Sequence, residues 1–442
     1  MYQNDHQTTM KILFYNPTTV QKRFVPYEAI RGSSFFRRPN YDAMRLAYLS
    51  QHHEFYYYDE RVEDKPHFEP DVVVANVSLT LSRYVENTIR KLWKKAHTIC
   101  YGFYPTLFPK KTAAFADTVV IGDIANIWHL ILEHAQGDAL LPLYSSNRED
   151  RFGVERSLEV KRGFTPLLSQ FRTQFGCACS SEYKDFCYEH IIYKHIVQRD
   201  IEDAVKDISC TRRKMIFIRD DDFLNNIEYA LSLLERCWRF KKMWLFQTGK
   251  SVLERAELFP FFRDHGVRII WLKEDWLGTD IRSSIENKEY VKEKKHEIVA
   301  IHNNRIAVGC MLRLGYPGED FLFYRRLLHF LSSTRIDLIK VAVQTPMPDT
   351  LTYRQAMRDR LLAEDYTLYD QWMPVVQIPG TAPQALYTWM EWLRDSFYSW
   401  DSIVRRSVVV SPKLGVYNTM LFYLMPNLSY RDNFLEKVGY PP

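Results

Sequence analysis

The strongest constraint on the fold is a recurrence. Short apolar, β-branched runs alternate with stretches of helical spacing, and each run stops at a proline, glycine or cluster of polar side chains. Residues 10–16, MKILFYN, end at Pro17, as a buried strand halted by proline would. Residues 54–59, the run DVVVANVSL after Pro70, and residues 97–102 and 117–122 repeat the pattern, with helices expected over 41–51 and 84–96. This spacing predicts a doubly wound parallel sheet of about five strands, which takes its ligand in the crevice beyond the strands' carboxyl ends. Ser78 and Thr80 fall at such an end. No G-x-G-x-x-G follows the first run, which argues against a dinucleotide.

The alternation resumes in the second half, at residues 214–223 (KMIFIRDDDF), 242–248, 267–271, 306–314 and 336–344. About four to six strand–helix units here suit a partial or full parallel (β/α) barrel, with the cysteine-bearing loop after its first strand. Three carboxylates close the first of these runs. On a barrel strand that place is the active-site rim, and equally it is where a helix N-cap would stand. A chain of 442 residues is long for one core. The expected division is a sheet domain over 10–140, a polar linker over 141–165, a partial barrel over 166–376 and a helical region over 377–442 that packs on the barrel.

Composition excludes little and is ordinary for a globular protein, with 46% hydrophobic and 26% charged residues. The net charge of +5 is dispersed, and basic runs such as 90–95 and 212–214 read as solvated faces, so nucleic acid is not an expected partner. Residues 1–10, MYQNDHQTTM, have no apolar signal region, and no apolar run is long enough to span a bilayer. A cytoplasmic protein without a transmembrane segment is expected.

Chemistry concentrates in residues 175–190, FGCACSSEYKDFCYEH, which hold Cys177, Cys179 and Cys187 of a total of seven cysteines. In a reducing compartment such a cluster suggests metal ligands or redox groups rather than disulfides. Three thiolates can hold three irons of a cuboidal cluster and leave the fourth iron open. The same thiolates with His190 could close a zinc site, and they could also be unligated buried thiols. The loop alone does not choose among these.

Several landmarks together resemble the cobalamin-binding branch of the radical S-adenosylmethionine (SAM) superfamily. PDVVVANVSLT, YGFYPTLFP and ADTVVIGD are similar to that family's first-domain strands and loop. IFIRDDDF, the turn GYPGED at 315–320 and TPMPDTLTY at 345–353 are similar to its barrel signatures. The resemblance implies an N-terminal cobalamin-binding-like domain, then a radical SAM partial barrel and a helical tail. It implies a [4Fe–4S] cluster on Cys177, Cys179 and Cys187, SAM on the open iron, and cobalamin between the domains. It further implies reductive SAM cleavage to a 5′-deoxyadenosyl radical, methyl transfer to an unactivated carbon, and an electron donor such as a flavodoxin or ferredoxin. The substrate, whether small molecule or peptide, is not implied, and family outcomes also include cyclisation and rearrangement. A chain that had lost the cluster, or held zinc, would be a binding protein. By position, Asp220 and Asp221 would lie on the rim near SAM or substrate, and Gln247 and Glu274 would bond the SAM ribose or amino group. Arg313 would pair with the SAM carboxylate, and Gly315 would let backbone approach the adenosyl group. Ser78, Thr80, Gly102 and Gly122 would line the corrin crevice. The cysteine spacing here is Cys-x-Cys-x7-Cys, where the family has Cys-x3-Cys-x2-Cys, and Lys184 stands where its middle cysteine is expected.

Overall fold

Strand β1 (Lys11–Asn16) shows why the first half folds as it does, because its apolar side chains point alternately to two different cores. Ile12 and Phe14 join Trp128 and the helix Tyr41–Leu49 on one face, while Leu13 and Tyr15 join Val85, Ile89 and Trp93 on the other. A strand buried on both sides is a near-continuous apolar run, as expected for a parallel sheet covered by helices. In this computed structural model, residues 9–18, 37–146, 151–161, 163–164, 167–176, 189–193, 195–278, 281–359 and 361–432 are described.

The first sheet adds β2 (Glu54–Asp59), β3 (Val72–Asn76), β4 (His97–Tyr101), β5 (Thr118–Ile121) and β6 (Leu143–Ser145), in the order β2-β1-β3-β4-β5-β6. Every pair is parallel. The strand order reverses between β1 and β3, the switch point at which such sheets take ligands. The sheet therefore has one strand more than the five expected. β6 arises from the span read as a linker, where Val119 pairs with Leu143.

The second sheet is parallel throughout, in the order β14-β13-β12-β11-β10-β7, a curled half-barrel built strictly in chain order. Its strands are β7 (Leu168–Phe171), β10 (Met215–Ile218), β11 (Met243–Thr248), β12 (Val267–Leu272), β13 (Ala307–Leu314) and β14 (Leu338–Val343). Between β7 and β10 lies a short antiparallel pair, β8 (Gln174–Phe175) with β9 (Val197–Gln198).

A helical tail of Pro383–Phe397, Trp400–Leu414 and Met425–Asp432 follows. It covers the edge of the half-barrel. The Tyr398 hydroxyl donates to the Ile339 carbonyl at 2.8 Å and accepts from the Ile339 amide at 2.9 Å. Both are edge groups of β14 that would otherwise be open to another chain. No helix among the described residues is long and apolar enough to cross a membrane.

Two bridges join the halves. Tyr41 and Met44 of the first domain pack with Phe152, Val154, Phe175 and Tyr193, and the Gln170 side-chain amide donates to the Pro39 carbonyl at 2.8 Å. After β14 the chain crosses back, so that Met347, Tyr369 and Val375 enter the first domain's core and Tyr366 stacks on Phe108 at 5.1 Å.

Candidate functional site

The carboxyl ends of β10 to β13 carry a row of charged and amide side chains, and the row begins with the three aspartates. Asp220 is wholly buried. It accepts the Thr173 amide at 2.8 Å, the Gln174 amide at 3.2 Å and the Thr173 hydroxyl. Burial pushes its carboxyl up to about 6, against the lowering effect of those bonds. Asp220 thus anchors the chain between β7 and β8, and its carboxylate faces protein rather than a ligand.

Asp221 pairs with Lys273 at 2.6 Å, and the Gln247 amide donates to the Asp221 carbonyl at 3.1 Å. Burial works against the Lys273 charge, but Asp221 outweighs it and the net effect is upward. Asp222 caps the turn Phe223–Asn226 and accepts the Thr248 hydroxyl at 2.8 Å and the Gly249 amide at 3.0 Å. The N-cap alternative therefore holds for the third aspartate only.

Next in the row, Glu274 pairs with Arg313. Asp221, Gln247, Glu274 and Arg313 are thus brought together through Lys273, the immediate neighbour of Glu274. Two half-buried ion pairs side by side present both signs of charge at one rim, which suits a zwitterionic ligand. Asp275 adds an orphan, since its Oδ1 is buried with no hydrogen-bond partner among the described residues. Burial raises the Asp275 carboxyl. Gly315, two residues past Arg313, has a φ of +92° and gives its amide to Glu319 at 2.8 Å. Lys273, Asp275 and Glu319 were given no role from sequence, although Lys273 and Asp275 flank Glu274 and Glu319 stands in the GYPGED turn.

The first sheet's crevice is built differently. Asn40 donates to Asn16 at 3.2 Å, and Tyr101 donates to Asp42 at 3.1 Å. Arg45 forks onto Asp123 at 3.0 and 2.7 Å. These side chains tie the ends of β1 and β4 to the helix Tyr41–Leu49. Beside them the Ser78 and Thr80 hydroxyls bond each other at 2.9 Å and stay half-buried, each with capacity for a further bond. Gly102 and Gly122 meet through Thr106, whose hydroxyl donates to the Gly102 carbonyl at 2.7 Å and accepts the Gly122 amide at 3.1 Å. Both glycines answer to the chain's own packing. A Cβ at 102 would lie 2.6 Å from Asn76 Oδ1, and one at 122 would lie 2.5 Å from the Ser146 carbonyl.

Cys177, Cys179 and Cys187 lie outside the described residues, but the residues that bracket them are placed. Phe175 pairs with Val197, and its ring lies under two guanidinium groups, Arg45 at 4.4 Å and Arg172 at 4.6 Å. Gly176 has a φ of +81° and passes so near the His195 carbonyl that a Cβ would come within 2.5 Å. On the far side, Glu189 pairs with Arg172 at 3.2 Å, and the turn Glu189–Ile192 packs against Phe103–Leu107, which directly follows β4. Both flanks therefore sit where the carboxyl ends of the two sheets meet. Of the other cysteines, Cys100, Cys237 and Cys310 are buried, with burial raising each thiol, and Cys210 is exposed. Among the described residues no group of three or more His, Cys, Asp or Glu is arranged to hold a metal.

The pair of parallel sheets is shared with solved structures of cobalamin-dependent radical SAM enzymes. One example is the radical SAM methyltransferase TsrM from Kitasatospora setae with cobalamin and a [4Fe–4S] cluster bound. It aligns over 80% of this chain and 78% of its own, with a TM-score of 0.55 and 14% identity. OxsB, a cobalamin-dependent SAM radical enzyme with aqua-cobalamin and SAM bound, aligns over 98% of this chain and 77% of its own, with a TM-score of 0.60 and 11% identity. At such identities the likeness is one of fold. No protein-family model matches the chain, and no curated protein resembles it in sequence.

Proposed function

We propose that the chain is a cobalamin-dependent radical SAM enzyme that transfers a methyl group to an unactivated carbon. One observation carries the reading: both flanks of the cysteine segment are fixed at the meeting point of the two sheets' carboxyl ends, where a cluster, SAM and a corrin would have to converge. When bound, these groups supply one-electron chemistry able to abstract hydrogen from an unreactive carbon, together with a transferable methyl.

The chain's own part is to bind, orient and exclude water. Cys177, Cys179 and Cys187 would hold three irons, with Asp220 fixing the backbone that leads into them. The Asp221–Lys273 and Glu274–Arg313 pairs would receive the ammonium and carboxylate of SAM, with Gln247 beside them and the Gly315 backbone near the adenosyl group. Ser78 and Thr80 would meet the corrin side chains, while the backbone at Gly102 and Gly122 shapes the crevice floor. A flavodoxin or ferredoxin would deliver the electron.

Anaerobic purification with iron, sulfide and cobalt analysis tests this. About four irons with matching sulfide per chain are expected, falling sharply in Cys177→Ala, Cys179→Ala and Cys187→Ala. One zinc without sulfide would overturn the proposal. Methyl transfer is tested by product analysis: S-adenosylhomocysteine should accumulate together with 5′-deoxyadenosine, and 5′-deoxyadenosine alone would exclude it.

A further inference from the structure

Away from the strand ends, a cavity of about 1000 Å³ opens between two outer helices of the half-barrel, Lys288–His302 and Phe321–Ser333, and the tail helices Pro383–Phe397 and Trp400–Leu414. That size is what a small organic ligand occupies. It lies toward the amino-terminal end of β14, because Asp337 and Ile339 are the residues that the adjoining Arg406 and Tyr398 hold. It is therefore separate from the rim formed by Asp221, Lys273, Glu274 and Arg313.

Its charge is one-sided. Lys295, Arg325 and Arg335 line it, and none of them makes an ion pair among the described residues. Arg406 is 6% exposed, and its donors go to neutral oxygens: the carbonyls of Asp337 at 2.6 Å and Phe397 at 2.8 Å, and the Asn427 side chain at 3.1 Å. It makes no ion pair among the described residues, but burial works against its charge and the nearby Asp337 carboxylate partly offsets that charge. The remaining charged lining residues are already neutralised, Asp395 by Arg394 and Arg405 by Asp401. Three unpaired cations, Lys295, Arg325 and Arg335, around one concavity focus a positive potential that surface lysines scattered singly would not. Trp392, Leu328 and Val409 add an apolar wall to the same space.

We propose that this cleft binds a phosphate-bearing small molecule with a planar or apolar body, of the nucleoside phosphate class. Arg325, Arg335 and Lys295 receive the phosphates, and Trp392 packs on the body. Arg406 is a positioning residue: it holds the tail helices to β14 and makes no contact with the ligand. Binding here would cross-link the tail to the half-barrel, which makes the site suited to regulation rather than to the chemistry at the rim.

The test is calorimetric titration of the full-length protein with two probes, ADP and inorganic pyrophosphate. ADP is expected to bind more tightly than pyrophosphate, and both should weaken steeply between about 50 and 300 mM salt. The Lys295→Gln, Arg325→Gln double variant should lose at least about tenfold in affinity for both probes. Trp392→Ala should erase the preference for ADP. Arg326→Gln serves as the control, since Arg326 stands on the same helix but pairs with Glu286 and does not line the cavity, so its binding should match the parent. No heat with either probe at millimolar concentration, or equal affinities in the double variant and the parent, would overturn the proposal.

Discussion

Asp220, Asp221 and Asp222 follow one another at the end of β10, yet each answers to a different neighbour. The first is buried against Thr173, the second reaches Lys273, and the third caps a turn. Burial holds the Asp220 carboxyl at about 6, above the value near 4 of an unfolded chain. Between those two values the folded protein keeps a proton that the unfolded chain has lost. The stability contributed by this group is therefore full below about pH 4 and falls as pH rises toward 6, by on the order of 3 kcal/mol. Asp220→Asn cannot titrate, so its stability should change less with pH across that window than the parent's, as read by urea denaturation at several pH values. Parallel curves would show that the side chain is not the buried acid described. From the sequence alone the three residues were equivalent, because an unbroken run of like side chains carries no sign of which one faces inward. The Glu274–Arg313 contact was legible only as two strand-end residues, 39 positions apart, since nothing local reports a cross-strand pair.

At the scale of elements, the half-barrel depends on one tight cross-strand fit. Gly309 on β13 stands opposite Trp271 on β12, and a Cβ at 309 would come within 2.4 Å of the indole ring. The indole is 5% exposed and has nowhere to move without displacing Tyr430, whose ring is 6.0 Å away. Gly309→Ala should then cost about 1–3 kcal/mol, the range for overpacking a core. In a Trp271→Leu background the same change should cost at least about 1 kcal/mol less, because the obstructing ring is gone. A double-mutant cycle with no coupling would refute the fit. The strands whose sequences are apolar runs, such as β3 with VVVAN or β12 with VRIIWL, were legible in advance. Four were not located, and each has a physical reason. β6 is an edge strand of three residues whose Leu143 is 50% exposed, so burial never shaped its composition. β7 reads LSQF because the buried Ser169 hydroxyl donates to Glu159, and the buried Gln170 side chain donates to the Pro39 carbonyl and accepts from Arg219, which breaks the apolar pattern. The β8–β9 pair is too short for any periodicity to announce it.

For the whole molecule, the proposed shared site requires two sheets that behave as one body. The bridge through Arg45 suggests that they do. Its side chain is fully buried, forks onto Asp123, donates to the Arg151 carbonyl at 2.8 Å and covers the Phe175 ring, so a single residue of the first domain grips the strand that leads into the cysteine segment. The return crossing of residues 344–376, with Tyr366 on Phe108, closes the other side of the junction. Replacing Arg45 by methionine keeps most of the volume but leaves Asp123 buried without its counter-charge, a loss of about 3–5 kcal/mol for a broken buried pair. Because the same change also removes the Arg45 contacts with the Arg151 carbonyl and the Phe175 ring, it should loosen the junction as well as the first domain. In calorimetry the parent is expected to unfold in one transition, whereas Arg45→Met should show two, the first accompanied by faster hydrogen exchange in Glu189–Ile192 and Phe103–Leu107. A variant that still melts once, within a few degrees of the parent, would mean that Arg45 serves its own helix and that the two halves are held together by the crossing alone.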